Sequence, residues 1–113
     1  MKDLAQDIYR QRLIVEGIPK KPITEEQIVE YLTQLSQVTG MKPLIKPVTH
    51  RSDLFGWAGW IHWETSGAHF YAWDQPRLFF SVDVYTCKMF NVDDAVEFTR
   101  QFFNAETIEF KEV

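Results

Sequence analysis

The side chains best suited to chemistry lie in the second half of the chain. Asp83, Tyr85 and Cys87 alternate along one apolar segment, so an extended chain places all three on the same side. A thiol in this position is a candidate proton donor or reactive group facing a pocket, beside a carboxylate able to meet a ligand amine. A purely structural interpretation is that Cys87 is a small buried residue at a strand end and that Asp83 forms an ion pair. His69 either lines the same ligand site or forms a hydrogen bond within the sheet.

The spacing of possible ligands predicts no metal site. His50, His62, His69, Asp83 and Cys87 include no close-spaced pair of the kind His-x-x-x-His or Cys-x-x-Cys. The sequence also shows no Ser-His-Asp arrangement and no phosphate-binding glycine loop, and it contains only 5 glycines.

Composition indicates one small globular domain over residues 1–113. The formal charge of −4 argues against a nucleic-acid partner, and no apolar run is long enough to predict a membrane span. A single cysteine excludes an internal disulfide and fits a reducing compartment, so we expect a cytoplasmic protein. Aromatic residues make up 15% of the chain, an enrichment also found where subunits pack, and a homodimer is therefore predicted.

The elements that must position these residues begin with a strand and a helix. Residues 12–17 form an apolar run ending in glycine, which is typical of a strand, and residues 1–10 are compatible with a short helix. Thr24 and Gln27 form a capping box, and Gly40 marks the end of the helix. Apolar residues recur on one face of this helix, namely Ile28, Tyr31, Leu32, Leu35 and Val38.

Four strands are predicted next, over residues 41–48, 57–64, 68–73 and 78–86. The prolines in the first of them favour an edge or a bulge. The second carries large side chains on both faces, so we expect both faces to be at least partly covered.

A second helix and a last strand complete the predicted fold. Asn91 or Asp93 caps the helix, and residues 107–111 form the strand. The inward face of the helix is predicted to carry Val92, Ala95, Val96, Thr99, Phe102 and Phe103. This order of elements predicts an α+β two-layer sandwich, an antiparallel or mixed sheet with both helices on one face.

Two segments carry a resemblance to a known family. SVDVYTCKMF, with the helix that follows it, is similar to the Asp-x-x-Thr-Cys segment and next helix of bacterial and archaeal S-adenosylmethionine decarboxylases. GAHFYAWDQPR aligns without gaps on their Glu-Ser-His-x-x-x-His-x-x-Pro-Glu motif. The resemblance spans about residues 11–105 and implies the same fold.

The resemblance implies a self-made catalytic group and shows departures from it. Members cut their own chain before a serine and convert that serine into a pyruvoyl group, whose ketone acts as an electron sink during decarboxylation. On the gapless alignment Ala68 occupies the serine position and has no hydroxyl, while Trp73 and Arg77 replace a histidine and a glutamate. His69, Pro76 and Cys87 match the family. These departures imply a protein without the pyruvoyl cofactor. Cys87 is then a remnant of the family's catalytic site, and we favour the interpretation that its thiol is unreactive.

A rival alignment places the precursor serine at Ser66, two residues upstream. Under it Glu64 or Thr65 stands before the serine, but His69 and Pro76 lose their matches. We therefore favour the first alignment.

The resemblance thus implies a non-catalytic decarboxylase-like protein that binds a small molecule or regulates an active decarboxylase partner. The ligand pocket is expected to contain His69, Asp83, Tyr85, Arg77 and Trp73, and the positive charge at Arg77 favours an anionic ligand. The alternative is an active pyruvoyl-dependent decarboxylase of S-adenosylmethionine or a related amino acid in polyamine biosynthesis, processed at Ser66. A third possibility is a purely structural dimerisation module.

Overall fold

Six strands form one sheet in the computed structural model, which describes all residues from 1 to 113. The elements are β1 (Gln11–Ile18), α1 (Glu25–Thr39), β2 (Val48–Ser52), β3 (Gly56–Trp63), β4 (Ser66–Trp73), β5 (Phe79–Thr86), α2 (Val92–Phe103) and β6 (Thr107–Glu112). The strand order is β2-β3-β4-β5-β1-β6, and every neighbouring pair is antiparallel. The predicted α+β two-layer sandwich is confirmed, with an antiparallel rather than a mixed sheet.

Helix α1 begins and ends where its sequence signals lie. The Thr24 hydroxyl accepts a hydrogen bond from the Gln27 amide at 3.2 Å, and the Gln27 side chain accepts one from the Thr24 amide at 2.9 Å. Gly40 ends the helix at φ 71°, a left-handed conformation that suits glycine. The prediction that Val38 faces the core is wrong, because Val38 is 37% exposed and Thr39 is buried in that turn instead.

Helix α2 is capped by Asn91, whose side chain accepts a hydrogen bond from the Asp94 amide at 2.9 Å. Its buried face carries Ala95, Val96, Thr99 and Phe103, and the predicted Val92 and Phe102 are partly buried.

Aromatic rings fill the core between the sheet and the two helices. The ring of Tyr31 lies 5.2 Å from that of Phe70 and 4.9 Å from that of Phe103, which joins α1, β4 and α2. The indole N–H of Trp63 donates to the Ser36 hydroxyl at 2.8 Å and ties β3 to α1. Both helices therefore pack on one face of the sheet, called here the helix face.

Two predicted elements are wrong. The strand expected over residues 41–48 lies instead at Val48–Ser52, and the preceding segment makes only an isolated bridge between Pro43 and Trp63. Pro43 and Pro47 lack the amide hydrogen that a continuous ladder requires. Residues 1–10 contain a turn but no helix.

The opposite side of the sheet, called here the open face, is covered by no element of this chain. His62, His69, Tyr71, Asp83 and Tyr85 are all exposed there. On the open face of β3, Ala58 and Trp60 are partly buried although no helix packs there, so that face is only partly covered. The open face is where the chemically capable side chains meet.

Candidate functional site

Strand register assembles the site on the open face. Trp60 lies opposite His69, His69 opposite Asp83, and Asp83 opposite Ile14, so one row of side chains crosses four strands. The next row contains Gly67 and Tyr85, with Gly67 contributing no side chain. The result is a depression of about 550 Å³. Its polar and aromatic lining includes Arg12, Trp60, His62, Ser66, His69, Asp83 and Tyr85.

One cation and one carboxylate face this depression. The guanidinium of Arg12 lies 4.4 Å from the centre of the Tyr85 ring, a cation–π contact. Asp83 forms no salt bridge, so the ion-pair interpretation of this residue is wrong. The His69 ring lies 6.2 Å from the Trp60 ring and 6.1 Å from the Tyr71 ring, and it makes no hydrogen bond to the protein. Asp83 and His69 are thus free to meet a ligand.

Ser66 stands at the rim, where β3 turns into β4. Glu64 and Thr65 form the turn between the paired residues Trp63 and Ser66. Ser66 has φ 121°, a region that side chains rarely adopt and that stores backbone strain.

The peptide carbonyl just before Ser66 is held by a hydrogen bond. The amide N–H of Cys87 donates to the Thr65 carbonyl oxygen at 3.0 Å, which joins the hairpin to the end of β5. The Thr65 side chain is fixed as well, since its hydroxyl donates to the Met41 sulfur at 3.1 Å and accepts from the Thr86 hydroxyl at 3.2 Å. Hydrogen bonds therefore hold both the carbonyl group and the side chain of Thr65, and the N–H contact polarises the carbonyl.

Cys87 is exposed, so the interpretation of this residue as buried is wrong. Its side chain does not line the depression. The contact that the structure gives Cys87 near Ser66 is made by its backbone amide.

Ala68, the residue that the gapless alignment sets at the cutting position, lies in the core. It is 4% exposed on the helix face, in line with Ile61 on one side and Val84 on the other. Only apolar groups flank it in the sheet, and none of them can move a proton. Gly67 before it is required by close packing, because a Cβ there would lie 2.4 Å from the Ile61 carbonyl oxygen.

The structure separates two of the expected pocket residues from the others. Trp73 and Arg77 line a smaller depression of about 350 Å³ with Pro76 and Phe79. Ser66 and Trp73 are the two ends of β4, so this second depression lies beyond the opposite end of the strand. The first depression contains His69, Asp83, Tyr85 and Ser66. Because Arg77 lies outside it, the positive charge of Arg77 does not indicate the charge of a ligand bound there.

The sequence did not lead us to expect Arg12 or His62 in this depression. Arg12 alternates outward from the buried Leu13, a signal present in the sequence, but only the β1–β5 register shows that it faces Tyr85.

The structure gathers no group of three or more possible metal ligands. Neither helix has the length and apolar character needed to cross a membrane.

The fold and site define a two-layer α+β protein with a strained serine at the rim of an open-face depression. The family model described as S-adenosylmethionine decarboxylase matches residues 14–113. The chain belongs to the S-adenosylmethionine decarboxylase family.

Comparison with solved structures agrees on the fold. The crystal structure of the adenosylmethionine decarboxylase from Aquifex aeolicus VF5 superposes with a TM-score of 0.75, covering 94% of this chain and 89% of that one. The sequence identity is 16%, so this likeness concerns the fold alone. No curated protein sequence matches the chain.

Proposed function

We propose that this chain cleaves itself between Thr65 and Ser66 and acts as a pyruvoyl-dependent decarboxylase of S-adenosylmethionine or a related amino acid. The observation that carries the proposal is the geometry of this bond. The strained Ser66 follows a carbonyl group that accepts a hydrogen bond from the Cys87 amide. This reverses the preference drawn from the gapless alignment, because the residue which that alignment places at the cut is buried in the core.

Each feature of the bond favours cleavage for a physical reason. The Ser66 hydroxyl can attack the preceding Thr65 carbonyl carbon, which breaks the peptide C–N bond and moves the acyl group onto the Ser66 oxygen as an ester. Elimination of that ester frees the Thr65 carboxylate and leaves a dehydroalanine at position 66, from which water releases ammonia to leave the ketone. An amide N–H at 3.0 Å from the carbonyl oxygen is placed to stabilise the negative charge that develops there during attack. The unfavourable φ of Ser66 raises the energy of the intact chain, and breaking the bond releases that strain.

The depression beside Ser66 fits a small substrate with an amine. A pyruvoyl group supplies a ketone that withdraws electrons while carbon dioxide leaves. Asp83 carries an unpaired carboxylate for an ammonium group, and Arg12 offers a cation for a carboxylate. Trp60 and Tyr85 provide aromatic surface for a flat or apolar part of the ligand.

Mass spectrometry of the denatured protein tests the cleavage. We expect two fragments, residues 1–65 and residues 66–113. Ser66→Ala removes the hydroxyl and should leave one intact chain. The matched control is Ser81→Ala, another partly buried serine on the sheet, which should be cut like the unmodified protein. An uncut unmodified chain would refute the proposal.

The second candidate is an intact-chain module that binds a small molecule or an active decarboxylase. One observation favours it: when the family motif is aligned on Ser66, its two histidines fall on Gly67 and Tyr71, and its two glutamates fall on Thr65 and Gln75. This candidate predicts a single uncut chain whose melting temperature rises with its ligand.

We further propose that the open face packs against the open face of a second copy. Support comes from its exposed aromatic rings, since Tyr71 and Tyr85 are each 37% exposed and Trp60 and Trp73 are partly exposed. Sedimentation velocity is expected to show a dimer that Tyr71→Glu weakens, whereas a monomeric unmodified protein would refute this interface. The unpaired Cys87 remains compatible with a reducing, cytoplasmic environment.

A further inference from the structure

Strand β6 has a free edge with regularly spaced backbone groups. Its single neighbour in the sheet is β1. The Val113 amide, which follows β6 in register, donates to the Arg12 carbonyl at 3.1 Å. Because hydrogen-bonded residues alternate along an antiparallel strand, the odd-numbered residues of β6 bond to β1. Ile108, Phe110 and Glu112 therefore direct their backbone N–H and C=O groups away from the sheet.

This edge has neither the proline nor the bulge that protects many edge strands, and its charged side chains, Glu109, Lys111 and Glu112, are of both signs. The register with β1 runs without interruption from Thr107 to Glu112, so β6 has no bulge, and it contains no proline. Phe110 is 49% exposed on the helix face. The other edge strand, β2, directly follows Pro47. The β6 edge is therefore the better template for another strand.

We propose that β6 pairs antiparallel with β6 of a second copy, with Phe110 opposite Phe110. The side-chain charges of the strand select this register. It sets Glu109 of each copy opposite Lys111 of the second copy, so that two opposite-charge pairs form across the junction on the open face. The two Phe110 rings meet on the helix face and cover apolar surface that is exposed in the single chain.

Neighbouring registers lack this charge pairing. A shift that places Glu109 opposite Glu109 brings like charges together, which is unfavourable. A register centred on Ile108 places Phe110 opposite Glu106 and leaves both Glu109 and Lys111 without an opposite charge. A second copy is thus the partner that this edge complements.

Disulfide trapping tests the pairing in a Cys87→Ser background. Phe110→Cys places two thiols on a hydrogen-bonded pair with Cα atoms about 5.5 Å apart, within disulfide range. Ile108→Cys is the matched control, since its two copies would lie about 13 Å apart along the strands. We expect a covalent dimer from Phe110→Cys only. No dimer from either variant, or more from Ile108→Cys, would overturn the proposal.

Charge exchange provides an independent measurement on the uncrosslinked protein. Glu109→Lys and Lys111→Glu each turn two attractions into two repulsions and should weaken this association about tenfold or more in sedimentation equilibrium. The double exchange should restore it. Both side chains are exposed, so melting curves should stay close to that of the unmodified protein. Failure of the double exchange to restore association would contradict the register. Phe110 lies on the helix face, outside an open-face dimer, so a disulfide-linked dimer from Phe110→Cys distinguishes the β6 interface from an open-face one.

Discussion

Replacing Thr99 by valine removes one half of a buried hydrogen bond that joins α1 to α2. The Tyr31 and Thr99 hydroxyl oxygens lie 2.7 Å apart, and both residues are almost completely buried. The Thr99 hydroxyl donates its only proton to the Ala95 carbonyl oxygen at 2.7 Å. Tyr31 must therefore be the donor in the pair, and Thr99 the acceptor.

This direction makes the two partners unequal. Thr99→Val has nearly the same shape but leaves the Tyr31 hydroxyl buried without an acceptor, which costs about 1–3 kcal/mol of unfolding free energy. Tyr31→Phe leaves the Thr99 hydroxyl bonded to Ala95, so the expected loss is only about 0.5–1.5 kcal/mol. In the double variant no unsatisfied donor remains, and its stability should lie near that of Tyr31→Phe.

Urea unfolding of the four proteins closes a double-mutant cycle and measures the coupling directly. We expect Thr99→Val to be the less stable single variant, and the double variant to be more stable than the sum of the two losses predicts. If Tyr31→Phe costs as much as Thr99→Val, or if the two losses add, the assigned donor direction is wrong.

Buried contacts and the hairpin give three more testable consequences. Burial raises the pKa of Tyr31, so above about pH 10 this hydroxyl ionises in the unfolded chain while it stays neutral in the folded one. The free energy of unfolding should therefore fall with pH by up to about 1.4 kcal/mol per pH unit more than that of Tyr31→Phe. Equal pH profiles of the two proteins would contradict this. Gly59→Ala should lower the free energy of unfolding by about 1–3 kcal/mol, because its Cβ would lie 2.5 Å from Ile28 Cγ2. An unchanged urea midpoint would contradict this and show that α1 shifts to make room. Cys87→Ala should keep chain cleavage, since the amide rather than the thiol contacts Thr65; loss of cleavage in a folded Cys87→Ala protein would assign the step to the thiol.

Local signals were sufficient to predict most of the fold. The capping box at Thr24 and the glycine stop at Gly40 bound α1, and the alternation along β5 fixes which of its residues face inward. Prediction failed at β2, whose sequence VTHRS is polar because the strand lies at an edge, while a more apolar stretch just before it is interrupted by prolines. An edge strand needs little apolar character, so hydrophobic pattern alone does not locate it.

The residues of the candidate site are brought together by the pairing register of the strands, and the sequence alone does not show that register. A gapless alignment placed Ala68 at the cut, but the β3–β4 pairing sets Ser66 at the hairpin and Ala68 in the core, a difference of two residues along one strand. The hydrogen bond from Cys87 to Thr65 joins residues far apart in sequence, so it could not be read from spacing. Trp73 and Arg77 were grouped with the site although β4 carries them to its other end.

The most direct test of the central claim is the intact mass of the freshly purified, denatured protein, with sequencing of any fragment termini by tandem mass spectrometry. Self-processing predicts one fragment ending at Thr65 and a second whose first residue, formerly Ser66, carries a ketone in place of its amine. A single chain of 113 residues with an unmodified Ser66 would contradict the account and favour the intact binding module.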